Sequence, residues 1–519
     1  MASGRNLKRL LALHWRVGRY LLAVLSGLLL SAAFPPLEWP ACAWIAFVPL
    51  LLIPGPVRGC RRWFLGWAFG VAHFVTSLYW LNEVGFGAGV ALALVCACFA
   101  MVWFVGCSAF ADWLTKCGLG AALLSSRPLL AGDDRHTAHS SACAFVQIVG
   151  VAALWVSVEW MRAGMFTGFP WNFAGVSQWS QAWLLPLTRY TGVYGISFVV
   201  LLFNAAIALT VRLKPWDTPR ETIRPLATIW GTCALAFLAV AATNLSVPNR
   251  QRPPDKVLHA AVAQGNIPQC REWTQDQLDL SVTVYDQLSR DVARRDTPPP
   301  DLLLWPETAL PAPVLYNRQC YDTIQKLVHD TGLPLLLGSL DYRHTEPKTS
   351  TTPTQNNMKT TAQPAKAYNS AMLFGAEGRL QDYYDKTHRV PFGEYVPFSR
   401  YVPWLVDLIG MGRALTPGKE FTVMSLPKDI PAGVNICYED CFPYISRNFV
   451  LRGADPLTVR AGGMATAMPI DSFEAALVVD PPREAVRIER LALTSPAFRA
   501  AVQGRVGATA IDLRVGLDA

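Results

Sequence analysis

Long apolar runs fill the first half of the chain, and short ones punctuate the second. Seven stretches, near residues 18–34, 40–54, 63–80, 87–111, 143–161, 190–211 and 225–244, read as membrane-spanning candidates. The second is short. The first, Tyr20 to Leu30 with Ser31, Ala32 and Ala33 behind it, also reads as a secretory signal, but the further runs that follow at once favour an uncleaved anchor. From Val257 the pattern changes to strand and helix. Apolar strands are predicted at Val257–Val262, Leu302–Trp305, Pro334–Leu340, Ala371–Phe374 and Gly433–Cys437, with helices such as Thr274–Arg294 and Asn317–Thr331 between several of them. That alternation predicts an extramembrane α/β domain of layered sheets. The polar tract Thr345–Lys366 reads as an inserted loop.

Composition agrees with a membrane protein and excludes a disordered one. The 519 residues are 52% hydrophobic and 16% charged, against about 25% charged in a soluble domain. Charge is also unevenly placed. Through Lys256 the chain holds 20 Lys and Arg against 9 Asp and Glu, and beyond it 26 against 29. The positive excess therefore belongs to the apolar half, where it marks loops at a membrane surface, and nucleic-acid binding is not expected. With a cytoplasmic N-terminus, the basic loops holding Arg58, Arg61 and Arg62, then Lys116, Arg127 and Arg135, then Arg212, Lys214, Arg220 and Arg224 all fall inside. Seven spans then place the second half outside the cytoplasm. Trp171, Trp179 and Trp183 in the segment Met161–Tyr190 read as an aromatic belt or as a lipid-facing vestibule.

Twelve cysteines do not make a disulfide framework here, because six of them lie within the apolar runs, where a thiol behaves as a small hydrophobe. Cys437 and Cys441 are a single pair without a second, which is thin support for zinc. The stretch Gly410–Lys419 is no phosphate-binding loop, since its glycine spacing is wrong and Glu420 stands where a Ser or Thr would hold magnesium. No metal or cofactor is implied.

Three local clusters carry chemistry: Trp305-Pro306-Glu307-Thr308 at the end of a strand, Tyr384-Asp385-Lys386-Thr387-His388 with Pro391-Phe392-Gly393-Glu394 behind it, and Asn435-Ile436-Cys437-Tyr438-Glu439. Each alone is an ordinary loop acid, surface lysine or buried thiol. Together they supply one acyl-transfer site. A thiol is mostly protonated at neutral pH, so a nucleophilic Cys437 needs a base, and Glu307 qualifies. A carboxylate nearby also raises the thiol pKa. Lys386 offsets that and stabilises an oxyanion.

These three motifs, in this order, resemble the nitrilase (carbon–nitrogen hydrolase) superfamily. Phe34-Pro35-Pro36, Val158-Glu159-Trp160-Met161-Arg162, Gly168-Phe169-Pro170-Trp171, Gly192-Val193-Tyr194-Gly195 and Ala263-Gln264-Gly265-Asn266-Ile267-Pro268-Gln269 resemble its membrane-embedded branch, the apolipoprotein N-acyltransferases of bacterial inner membranes. The resemblance covers roughly residues 18–455. It implies a multi-pass helical domain over 1–250 and a nitrilase-like αββα domain over 257–455, with the catalytic part on the periplasmic side. It also implies a Glu307, Lys386, Cys437 triad supported by Glu394, Tyr438 and Glu439. Trp273 then belongs to the active-site entrance, and Gly168 and Trp171 to the vestibule loop. The implied reaction passes an acyl chain from a phospholipid, typically phosphatidylethanolamine, through a Cys437 thioester to the amine of a diacylglyceryl-cysteine apolipoprotein. The apolar segment Phe398–Leu415 fits an arm that dips into the interface and admits acyl chains.

From about Pro456 to Ala519 the family pattern stops, and no run there is long enough to span a membrane. The αββα domain is therefore expected to be incomplete at its C-terminus, with a tail of unknown fold and the Cys437 strand left without its usual neighbours. Three other functions compete. An inactive lipid- or lipoprotein-binding remnant is suggested by the tail, a membrane-tethered nitrilase-type amidase by the triad, and a transporter by the spans.

Overall fold

The computed structural model describes residues 2–53, 60–82, 88–117, 123, 134–217, 219–245, 258–267, 274–295, 299–343, 366–391, 393–396, 399–401, 403, 414–454, 472–480, 485–495, 498–506 and 511–518, with only the backbone course given for 2–16, 134–140 and the strands beyond 472. The chain forms two compact units, one of Met1–Pro248 and one built mainly from Asn249 onward.

The first unit is helical: α1 (Ala2–Ala32), α2 (Val48–Leu51), α3 (Arg61–Ser77), α4 (Ala88–Lys116), α5 (Asp134–Gly164), α6 (Thr188–Thr191), α7 (Val193–Leu213) and α8 (Pro219–Leu245). Among the described residues, four helices are long and apolar enough to cross a membrane: Gly89–Lys116, Ser141–Thr167, Val193–Leu213 and Thr222–Leu245. The runs at Val17–Ala32 and Pro40–Leu51 give shorter apolar helices. Small residues allow close crossings. A Cβ on Gly70 of α3 would stand 2.7 Å from the Cα of Ala97 on α4, so the backbones touch in the way membrane helices pack. The centre of the unit is aromatic, with Phe47, Phe69, Trp103 and Trp155 mutually buried and the Trp103 indole donating to the Val151 carbonyl at 3.2 Å.

The second unit is built on one mixed sheet in the order β1 (Ala260–Val262), β2 (Leu302–Leu304), β3 (Leu335–Arg343), β4 (Lys366–Phe374), β5 (Leu380–Asp385). The β1–β2 and β2–β3 pairs are parallel, and β3–β4 and β4–β5 antiparallel. Leu302, Leu303 and Leu304 are all buried, as an inner strand covered on both faces requires. Helices α9 (Gln275–Arg295) and α10 (Arg318–Thr331) provide the apolar cover. The α10 helix begins where the Asn317 side chain accepts from the Cys320 N–H, and it ends at Gly332, whose φ of +67° only glycine adopts without strain. Its buried face, Cys320, Ile324, Leu327 and Val328, recurs at helical spacing.

The structure departs from the sequence expectation at Gly433–Cys437. After the hairpin of β6 (Met424–Leu426) and β7 (Ile430–Ala432), pairing stops at Ala432. Residues 433–436 form no regular element and have no ladder partner among the described residues, and Cys437–Cys441 then turn into a 3-10 helix followed by α11 (Pro443–Leu451). An apolar run needs a neighbour to become a strand, and β7 has only β6. The strand β5 was not foreseen. The tail holds four antiparallel strands, β8 (Ser472–Asp480), β9 (Ala485–Ser495), β10 (Phe498–Val506) and β11 (Ile511–Asp518), paired as a simple meander.

Candidate active site

Glu307 sits in the turn that leaves β2. Trp305 just before it is buried, its indole donating to Ser289 Oγ at 3.0 Å and its backbone N–H to the Leu336 carbonyl at 2.9 Å. The turn presses on β3. A Cβ at Gly338 would lie 2.5 Å from the Pro306 carbonyl and 2.6 Å from the Glu307 Cα, so this position has room for glycine alone.

Lys386 follows β5 directly, with its backbone N–H donating to the Asn369 carbonyl at 2.8 Å. Its ammonium is buried and stands 2.7 Å from Glu394 Oε1 and 3.7 Å from Glu307 Oε1. Burial pulls this ammonium toward its neutral form, and the charges of Glu394 and Glu307 more than reverse that, leaving its pKa above the ordinary lysine value. Glu394 is held in turn by the Val390 N–H, which donates to its Oε2 at 2.9 Å.

Cys437 opens the 3-10 turn with a φ of +52°, a left-handed conformation that a non-glycine residue rarely adopts. Glu307, Lys386 and the Tyr438 backbone N–H are the groups that act on the thiol. Cys437 is exposed, yet partial desolvation by its neighbours and then the Glu307 charge push the thiol up to about 11, with Lys386 pulling the other way. At neutral pH the thiol is therefore protonated until a base removes its proton. Glu307 is the carboxylate that acts on it. A carboxylate, a cation and a thiol thus act on one another in one place, which is the equipment for attack on a carbonyl and for holding the resulting oxyanion.

Comparison with known proteins fixes the family. The sequence profile described as "Apolipoprotein N-acyltransferase N-terminal domain" matches residues 26–206, and that described as "Carbon-nitrogen hydrolase" matches residues 259–472. The chain belongs to the apolipoprotein N-acyltransferase family. The apolipoprotein N-acyltransferase of Geobacter metallireducens is 28% identical over 439 residues, covering 84% of this chain and 75% of the relative. That of Chlorobaculum tepidum is 27% identical over 455 residues, covering 85% and 78%. Among solved structures, a carbon-nitrogen hydrolase from Helicobacter pylori aligns at 14% identity with a TM-score of 0.27, covering 38% of this chain and 57% of that one.

In this acyltransferase-family chain the remaining sequence candidates fall in different places. Glu439 is fully buried and ties the Lys386 loop to the Cys437 turn. Its Oε1 accepts from the Tyr384 hydroxyl at 2.8 Å, the Thr387 N–H at 2.7 Å, the Thr387 hydroxyl at 2.9 Å and the His388 N–H at 3.0 Å, and its Oε2 from the Ile436 N–H at 2.9 Å. The buried Tyr438 packs edge-on against Phe442 with ring centres 5.0 Å apart. Gly168 and Trp171 belong to the helical unit. Gly168 has a φ of +85°, and the Trp171 carbonyl accepts from Arg162 at 2.6 Å. Trp273, residues 345–365 of the inserted loop and most of Phe398–Leu415 lie outside the described residues. Glu159 is buried, and its Oε1 accepts from the Trp155 indole and the Ala174 N–H, each at 2.7 Å.

One residue at the site was not found from sequence. Asn369 on β4 donates its amide to Glu307 Oε1 at 2.6 Å. The available signal was an amide inside the apolar strand Lys366–Phe374, since a buried polar group needs a partner.

Proposed function

We propose that the protein transfers an acyl chain from a phospholipid to the N-terminal amine of a diacylglyceryl-cysteine apolipoprotein, through a thioester on Cys437. The observation that carries this is Lys386 standing 3.7 Å from Glu307, with both charges acting on the Cys437 thiol, in a chain that belongs to the apolipoprotein N-acyltransferase family. In the first half, Glu307 takes the thiol proton as the sulfur attacks an ester carbonyl of the phospholipid. The oxyanion is met by the Lys386 ammonium and the Tyr438 N–H. The C–O bond to glycerol then breaks, the alkoxide takes the proton from Glu307, and a lysophospholipid leaves behind a Cys437 thioester. In the second half the acceptor amine attacks the thioester, Glu307 takes its proton, and the thiol is restored as the amide forms. Glu394 and Glu439 hold the lysine and the two loops in place.

Phosphatidylethanolamine is the expected donor, and a bacterial inner membrane with the catalytic unit on the periplasmic side the expected location. The clustering of basic residues in alternate loops of the helical half supports that orientation. Trp273, Gly168 and Trp171 are assigned to substrate entry on the family resemblance. A second reading, an inactive lipid- or lipoprotein-binding remnant, is favoured by one observation: the segment leading to Cys437 has no ladder partner among the described residues.

The deciding assay incubates the purified chain with phosphatidylethanolamine vesicles and a synthetic diacylglyceryl-cysteine peptide. A peptide mass increased by one acyl group, absent with Cys437→Ala, supports transfer. Peptide binding without any mass increase supports the remnant.

A further inference from the structure

Lys386 follows β5, the last strand of the sheet among the described residues, with its N–H donating to the Asn369 carbonyl and its own carbonyl accepting from the Gly418 N–H, each at 2.8 Å. Alternation sends Asp385 and Lys386 to opposite faces of the sheet. The register sets Ser370 opposite Asp385 and Tyr368 opposite Asp341, so Asp341, Arg343, Tyr368, Ser370, Tyr383 and Asp385 share the face away from Lys386 and Asn369. On that face Arg343 reaches from β3 across β4 to β5. Its Nη1 and Nη2 donate to the two oxygens of Asp385, each at 2.8 Å, and its Nε donates to Asp341 Oδ2 at 2.6 Å. The Ser370 hydroxyl donates to Asp385 Oδ1 at 2.7 Å. The guanidinium lies 4.8 Å from the Tyr368 ring centre and 4.3 Å from that of Tyr383.

An isolated surface ion pair contributes little. This one differs in geometry, because two parallel N–H bonds to one carboxylate fix the rotation of the strand end as well as its distance. A buried Asp341 and two tyrosine rings hold the guanidinium itself. The residue whose rotation is fixed is the immediate neighbour of Lys386.

We propose that Arg343, acting through Asp385, is a positioning residue for Lys386: the fork on one face of the sheet sets the strand end from which the ammonium meets Glu307 and Cys437 on the other. This rests on the thioester reading above. Displacing the strand end by an ångström breaks the 3.7 Å approach of the ammonium to Glu307, and misplacement on that scale costs on the order of 100-fold in rate.

The test compares wild type, R343K, R343M and D385N as full chains in phosphatidylethanolamine vesicles, following acyl addition to Cys437 by intact mass across donor concentrations. In R343M the saturating rate is expected to fall about 30-fold, with half-saturation within about twofold of wild type. R343K, which keeps the charge but not the fork, is expected to fall between the two. A saturating rate in R343M within about twofold of wild type overturns the proposal. So does a loss that tracks the melting temperature and shifts half-saturation equally in R343M and R343K. Alkylation of Cys437 by iodoacetamide, read from peptide masses, tests the same point without phospholipid. There R343M is expected to react about tenfold more slowly at neutral pH because the displaced ammonium no longer favours the thiolate, and an equal rate overturns the proposal. Wild type that alkylates but never acylates contradicts the thioester reading and leaves the alkylation comparison to decide on Arg343.

Discussion

The Asn369 amide reaches Glu307 Oε1 at 2.6 Å, the same oxygen that the Lys386 ammonium approaches at 3.7 Å. Its backbone carbonyl also accepts the Lys386 N–H. One residue therefore holds both Glu307 and Lys386. Asn369→Ala is expected to slow thioester formation about tenfold, by freeing the carboxylate to turn. Asn369→Asp is expected to cost about 100-fold, because it sets a second carboxylate against the first and raises the proton affinity of both. Single-turnover mass measurements distinguish the two.

Glu439 accepts five hydrogen bonds from groups on the Lys386 loop, the Cys437 turn and Tyr384 while fully buried. Glu439→Gln keeps the shape but replaces one acceptor with a donor that faces other donors. A loss of about 2 kcal/mol is expected, read as a lower melting temperature of the catalytic unit, together with slower acylation. Unchanged melting would show that the carboxylate is not the tie between the two loops.

Gly338 touches the backbone of the Glu307 turn, where the atoms in the way are main-chain and cannot swing aside. Gly338→Ala is expected to push Glu307 from the thiol and lower acylation about 100-fold, while Cys437 remains open to alkylation. Equal acylation would mean that the turn relaxes at no cost to the site.

The raised pKa values give a pH dependence with a fixed sign. Lys386 and Cys437 both bind their protons more tightly in the folded chain, Lys386 because its two carboxylates outweigh burial, and Cys437 because of partial desolvation and then Glu307. Their stability contribution is whole below the unfolded thiol value of about 8.5 and is lost as pH rises. The Cys437 share goes through its folded value near 11, and the Lys386 share above its ordinary value of about 10.4. Melting temperature is expected to fall across this alkaline window, less steeply in Cys437→Ala. Glu307→Gln removes the charge that raises the thiol. Alkylation of Cys437 at mildly alkaline pH should then speed up while acyl transfer stops, and a slowing of both would contradict Glu307 as the base.

Much of the site is written locally, and much is not. Glu307, Lys386 and Cys437 each stand in a short motif at the end of an apolar run, and the structure brings the three together. Asn369 and Gly338 are invisible in that way, because they sit inside strands whose apolar pattern says burial and nothing more. Arg343 depends on a register across three strands, which sequence periodicity does not contain. The segment before Cys437 shows the converse. Its pattern suits a strand, but whether a strand forms is decided by a partner elsewhere in the chain. The four tail strands arise where the family pattern had already ended, so the resemblance gave no guide to them.

The most direct test of the account is the intact mass of the purified full chain after incubation with phosphatidylethanolamine vesicles, beside Cys437→Ala. An added acyl group that hydroxylamine removes and the variant lacks is the predicted result. Absence of that adduct in folded, membrane-inserted protein would contradict the acyltransferase mechanism for this chain.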